Sequence, residues 1–434
     1  MTKKSVILAG ILAAGFLPPV LPAKAQDLTA VIEKPILQNG LTLDQTIAWA
    51  LENSPVLGAQ ASYAEAAIAS RSQAGTFANP EIEIEAENIY GDADGTSEAE
   101  MTYGVSQLVE LPGKRGNRIR VADAESMKAH YTHDAARLDL IRDVTIAYAE
   151  VVAGQQEVAI LEEERNLAAQ VRDTVTAKVE AGKEPPIQKN KAGIELSASE
   201  IALDRAHRAL NAKMQALSAL MGGNAAGFAV QPSSLPPLGQ PEGLEIYKAR
   251  ISQTPDAQSL EANVTQAQSA LSLEKANALP DPTLGFGVKQ SREDDTNSFV
   301  AAVSLPIPVF NLNRAGIQRA GHELNASKME QQSSILSLEA TLVETYSNYV
   351  SAYREASALQ SGVLPGAQEA FSFAREGYDA GKFAYLEVLD AQRTLFEARK
   401  QFNQAVLDYH TQRAAIERMT AMHVQENTSE RINP

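Results

Sequence analysis

Two hydrophobic periods take turns along this chain. In four places apolar and polar residues alternate. Glu81–Tyr90 sets Glu81, Glu83, Glu85 and Glu87 against Ile82, Ile84 and Ala86, and Ala99–Val109 sets Met101, Tyr103, Val105 and Val109 against Glu100, Thr102, Gly104 and Ser106. Further on, Leu284, Phe286 and Val288 oppose Gly285, Gly287 and Lys289, and Phe299, Ala301, Val303 and Leu305 oppose Ser298, Val300, Ala302 and Ser304. Period-two segments of about eight to eleven residues predict strands with one apolar and one wet face, at about 81–90, 99–109, 283–290 and 298–305. Strands of that length also suffice to cross an outer membrane when tilted.

A helical period fills most of the rest. From Lys114 to Ala181 there is no proline, and apolar residues recur at three and four: Leu140, Val144, Ala147, Val151, then Leu167, Val171, Val175, Val179. Leu338, Leu342, Tyr346, Tyr349 and Tyr353 repeat the pattern after the second strand pair. Such seams predict coiled-coil contact. At 1.5 Å per residue, each rod of some 65 residues is about 100 Å long, more than a globular domain houses. Each rod turns at Gly182 or Gly381 and returns as a helix over Ile187–Met221 or Phe383–Met422, and helical stretches Thr42–Thr76 and Glu242–Ala278 precede the strand pairs.

This order occurs twice, with an offset near 200 residues. Asn53-Ser54-Pro55 answers Gln253-Thr254-Pro255, Asn79-Pro80 answers Asp281-Pro282, and Ala181-Gly182-Lys183 answers Ala380-Gly381-Lys382. Shared punctuation in one order points to duplication. The expected organisation is a linker over 26–40, a first repeat over 41–222, a Pro/Gly-rich joint over 223–241, a second repeat over 242–422 and a tail over 423–434.

At the N-terminus, Lys3 and Lys4 precede the apolar run Val6–Leu17, and Ala23-Lys24-Ala25 closes it. That is the grammar of a secretory signal peptide over residues 1–25. The run is too short for a membrane span, and Pro18-Pro19 interrupt it. No later segment offers a spanning helix, so a periplasmic protein and an outer-membrane β-barrel both fit. Four strands cannot close a barrel, and open edges cannot face lipid, so the barrel reading requires oligomerisation; three copies give twelve strands.

The chain has 434 residues, no cysteine, six histidines and a net charge of −16. Without Cys, thiolate metal sites, disulfides and thiol nucleophiles are excluded. An acidic surface is the wrong sign for phosphates, so nucleic acid is not an expected partner. Neither a catalytic constellation nor a cofactor motif is present; Gly113-Lys114-Arg115-Gly116 lacks the spacing of a phosphate loop and suits a strand-to-helix turn, with Lys114, Arg115, Arg118 and Arg120 close to lipid head groups. His130 and His133 can share a helical face, but no acid or Cys at a known spacing completes a metal site.

The signal peptide, the duplicated plan and several motifs resemble the TolC family of outer-membrane efflux channels. The motifs are Gly377-Tyr378-x-x-Gly381, Leu386-Glu387-Val388-Leu389-Asp390-Ala391-Gln392 with Leu395, Asn79-Pro80-Glu81, and Leu111-Pro112-Gly113-Lys114-Arg115. The last two resemble the CzcC/CusC branch, which serves heavy-metal efflux. The resemblance implies a mainly α, α+β fold in which a homotrimer builds a twelve-stranded outer-membrane barrel over a periplasmic α-helical barrel. It implies a non-enzymatic duct coupled to a periplasmic adaptor and an inner-membrane pump of the resistance–nodulation–division class. The expected cargo is heavy-metal cations such as cobalt, zinc, cadmium, copper or silver. Alternatives are the same duct serving drugs or other small molecules, or a soluble periplasmic coiled-coil adaptor, which leaves the strands without a purpose.

Four sets of site residues follow. The strand phase puts Ile82, Ile84 and Ala86 toward lipid and Glu81, Glu83, Glu85 and Glu87 toward the pore. The resemblance implies that Glu387 and Asp390 ring the periplasmic mouth and bind cations, whereas the first repeat has Gln188 and Lys191 there. It also implies gate packing by Tyr378, whose usual acidic partner is replaced by Gln188, with Phe383 where a latch arginine stands in the family. The hairpin tips, Gly182-Lys183 and Gly381-Lys382, are the implied adaptor contacts.

Overall fold

Proline decides where the helices begin. The residue before a proline is pushed out of the helical region, and Ser54 (ψ 119°) and Thr254 (ψ 151°) are accordingly extended. The stretch expected to be one helix over Thr42–Thr76 is therefore two, α1 (Leu43–Asn53) and α2 (Pro55–Ala74). Its counterpart divides into α5 (Leu244–Lys248), a 3-10 turn and α6 (Pro255–Asn277). Thr42 caps α1 by a reciprocal exchange with Gln45, satisfying two otherwise orphaned N–H groups.

The computed structural model describes residues 40–89, 99–223, 228–293 and 295–422. The signal peptide, almost all of the linker expected over 26–40, Tyr90 and the tail over 423–434 lie outside the described residues. The remaining elements are β1 (Glu81–Glu87), β2 (Glu100–Leu108), α3 (Lys114–Glu180), α4 (Pro186–Leu220), β3 (Thr283–Ser291), β4 (Thr296–Ser304), α7 (Arg314–Ala358), α8 (Leu364–Asp379) and α9 (Tyr385–Thr420). β1 stops short of Tyr90 because Asn88 turns left-handed, at φ 54°.

The second rod is not continuous. Between α7 and α8 the backbone makes a π-turn over Leu359–Val363. Pro365 is the cause: it has no N–H to give and its ring crowds the carbonyl four residues back, Ser361, so the ladder widens to let it pass. α3 has no such residue and runs unbroken for 67 residues, about 100 Å.

The strands form one antiparallel sheet in the order β1-β2-β3-β4, leaving the outer edges of β1 and β4 open among the described residues. Below it the helices pack in the matching order, α2 on α3, α3 on α6 and α6 on α7. Farther down, α4 packs on α3, α3 on α9 and α9 on α8. The cores lie between these helices. One gathers Leu43, Val144, Tyr148, Val151 and Leu217, another Tyr247, Leu342, Tyr349, Tyr409 and Ile416, and a third, near the hairpin turns, Val175, Phe371, Tyr378, Tyr385 and Leu389. Buried phenols fasten the joint between the halves. The Tyr148 hydroxyl reaches Leu41 O and Gln231 O at 2.8 Å, and that of Tyr409 accepts from Gly239 N at 2.9 Å.

Candidate channel surfaces

Register pairing gives the sheet two chemically opposite faces. Glu81, Glu83, Glu85 and Glu87 pair with Ser106, Gly104, Thr102 and Glu100, which pair in turn with Gly285, Gly287, Lys289 and Ser291. All of these lie on one face, since paired residues share a side. The other carries Ile82, Ile84, Tyr103, Val105, Phe286, Phe299 and Val303, each at least half exposed. Such an uncovered apolar sheet face is unfit for water.

Within the polar face the carboxylates are not equivalent. Ser106 Oγ donates to Glu83 Oε1 at 2.6 Å. Lys289 Nζ lies 2.9 Å from Glu87 Oε2 and 2.6 Å from Glu100 Oε2. The strand phases had placed Lys289 and Glu100 on the wet sides of their own strands; the register brings them to the glutamate ladder.

The basic turn after β2 looks inward. Lys114 is buried, and its ammonium donates to Leu279 O at 2.6 Å and to Asp281 Oδ2 at 2.7 Å. Arg118 pairs with Glu110, and the Arg115 guanidinium stacks 3.9 Å above the Phe77 ring. Lys114 and Arg118 are thus engaged by protein at the strand–helix corner. Asp281 also accepts from Leu111 N at 2.8 Å. Burial alone would raise its pKa, but these bonds and the charges of Lys114 and Arg118 hold it below the usual carboxylate value.

At the far end, Gly182 (φ +69°) and Gly381 (φ +70°) turn the two hairpins with left-handed backbone that a side chain would strain. Lys183 N donates to Lys178 O and Lys382 N to Gly377 O, the bond that closes a helix C-terminus. Glu387 and Asp390 are both exposed on α9, three residues apart and so on one side, with Glu387 in the first turn. Phe383 covers Gly377 so closely that a Cβ there would enter its ring.

Tyr378 is buried, and its hydroxyl has no hydrogen-bond partner among the described residues. Instead Lys178 stands 3.3 Å above the ring and donates to the Tyr378 carbonyl. Burial, reinforced by Glu184, Tyr385 and Asp379, pushes the phenol up to about 12. No hydrogen bond joins Tyr378 to the half-buried Gln188. Sequence reasoning missed Lys178, although a lysine one turn before the helix end was a visible cue.

His130 and His133 each come within 3.5 Å of Asp134, the acid that the spacing argument had overlooked. Even so, no group of three His, Asp or Glu among the described residues is arranged to hold a metal ion. Nor, among them, is any helix long and apolar enough to cross a membrane.

The family described as Outer membrane efflux protein matches residues 46–223 and 246–421. The chain belongs to that family. It is 31% identical to the cobalt-zinc-cadmium resistance protein CzcC of Cupriavidus metallidurans, over 90% of this chain and 93% of the relative. It is 28% identical to the nickel-cobalt-cadmium resistance protein NccC of Alcaligenes xylosoxydans, over 66% of this chain and 64% of the relative. A crystal structure of CusC matches with a TM-score of 0.75 at 19% identity, covering 87% of this chain and 92% of the other. The fold is therefore that of the TolC-type channels, and the protein is an efflux channel component of the outer membrane with a periplasmic helical portion.

Proposed function

We propose that three copies of this chain close into a duct that passes heavy-metal cations outward, fed by a periplasmic adaptor and an inner-membrane pump. The observation that carries the reading is the pair of open edges. The outer edges of β1 and β4 have no partner strand among the described residues, and unpaired strand edges cannot face lipid. The edge helices repeat the message: α7 exposes Met329, Leu336 and Val343, and α4 exposes Ile187, Ile194 and Ile201, both at seven-residue spacing. Exposed apolar heptad stripes want a partner helix. A copy on each side, β4 and α7 against the neighbour's β1 and α2, closes the sheet edges and covers the α7 stripe, and the α4 stripe is left for the neighbour's helices farther down.

In this reading Glu81, Glu83, Glu85 and Glu87 line the barrel, Gly182-Lys183 and Gly381-Lys382 meet the adaptor, and residues 41–222 and 242–422 act as two repeats of one design. Glu387 and Asp390 put six carboxylates round the periplasmic mouth, and their crowding favours a bound cation. Tyr378 and Phe383 support that mouth by packing rather than by a charged latch. Membership of the outer membrane efflux family supports the duct, and the resistance named for CzcC and NccC supports the cargo class; the duct itself supplies no energy.

Mass measurement in mild detergent should show three chains. In planar bilayers, Glu387→Gln with Asp390→Asn should weaken block by divalent cations added from the helical end, with trimer yield unchanged. A monomer in the native membrane would sink the duct. Unchanged block in the double variant would remove these residues from the constriction.

A further inference from the structure

The polar face of the sheet reads as four rows running across the strands. From the helix end outward they are Glu81–Ser106–Gly285–Ala302, Glu83–Gly104–Gly287–Val300, Glu85–Thr102–Lys289–Ser298 and Glu87–Glu100–Ser291–Thr296. The first three rows hold one carboxylate each. The outermost holds two, directly opposed, an arrangement that repels. Lys289 is the sole Lys or Arg in the four strands. It belongs to the third row but leans outward, reaching Glu100 on the adjacent strand and Glu87 on the strand beyond, at 2.6 and 2.9 Å.

We propose that Lys289 sets cation passage at the outer mouth by bringing the last row to the same net charge as the rows before it. The inference rests on the duct reading above. With Lys289 counted against Glu87 and Glu100, every step of the ladder carries one net negative charge per chain. Conduction needs sites that attract a cation yet release it to the next. A row with two free carboxylates per chain would hold a divalent ion at the exit, because attraction grows with the charge it faces. Being tied to both acids, the ammonium also offers passing anions little free charge.

The test is block of single channels by cobalt chloride added from the side of the outer mouth. Lys289→Met should lower the blocking concentration about tenfold from that side, while block from the helical end stays as in the wild type. Lys289→Arg should keep wild-type block, and Lys289→Met with Glu100→Gln, which returns the row to one negative charge, should restore it. If repulsion keeps Lys289→Met from assembling, Glu87→Gln/Glu100→Gln is compared with the same pair plus Lys289→Met. These differ only in the ammonium, and the chain that retains it should be blocked severalfold less readily. Unchanged block in Lys289→Met, or equal block in that pair, overturns the inference while leaving a conducting duct in place. A wild-type chain that conducts no ions overturns the duct reading and this inference together.

Discussion

Lys114 and Asp281, 167 residues apart in sequence, meet at 2.7 Å in the corner where the first strand pair hands over to α3 and α6 hands over to β3. Both side chains are mostly withdrawn from solvent. Removing one leaves the other buried without its partner, so Lys114→Met should cost about 3 kcal/mol of stability. Asp281 is held below its ordinary pKa, so its contribution is present at neutral pH and fades as the pH falls through the folded value. Thermal unfolding in detergent, run at pH 7 and at pH 3, checks both. A variant that melts with the wild type would show that the corner does not depend on this pair.

Ile84 and Glu85 are neighbours on opposite faces of β1. Lysine at 84 should reduce membrane insertion by roughly 2–4 kcal/mol if the site lies near mid-membrane. Glu85→Gln should assemble normally and shift selectivity away from cations. Yield in the membrane fraction and reversal potentials in a salt gradient measure the two effects, and equal tolerance at both positions would invert the assigned phase.

Ile194 and Leu336 lie on the exposed stripes of α4 and α7. Because neither is buried within the chain, Ile194→Asp and Leu336→Glu should leave monomer helicity intact. They should lower the fraction of trimer in mild detergent, the double variant most. Loss of helicity before loss of trimer would mean that the stripes serve the chain's own fold.

His410 is buried on α9 in a groove shared with Val152, Pro236 and Phe402. Burial, with the charge of Arg413, holds its imidazole down to about 4 against the opposing pull of Glu417. Between pH 6.5 and 4 the unfolded chain takes up a proton there that the folded chain refuses, so stability should fall by about 3 kcal/mol over that interval and then level off. His410→Gln should flatten this part of the pH–stability curve. An identical acid loss in the variant would assign it to other groups.

Much of this architecture could be read from local pattern. Ile82 against Glu83 fixes a strand face within three residues, and the four strands, the hairpin turns at Gly182 and Gly381 and the length of α3 all follow from such local rules. The helix breaks at Pro55, Pro255 and Pro365 are equally local: the apolar period runs on through each, and only the proline's backbone chemistry marks the boundary. The ion pairs were different in kind. Lys289 meets Glu87 across 202 residues of sequence and two strand boundaries, and only register decides that. The exposure of Ile187, Ile194 and Ile201 was likewise hidden, because a heptad reads the same whether its partner is in the chain or outside it.

The π-turn between α7 and α8 gives the two hairpins unequal stiffness. A continuous helix resists bending along its whole length, so α3 with α4 behaves as a strut. In the second hairpin the ladder is already opened at Leu359–Val363, and a bend gathers there as at a joint. Of the two arms at the periplasmic end, the second thus has limbs of unequal build: the outgoing one carries a kink-prone π-turn, and the returning α9, which bears Glu387 and Asp390, runs past it unbroken.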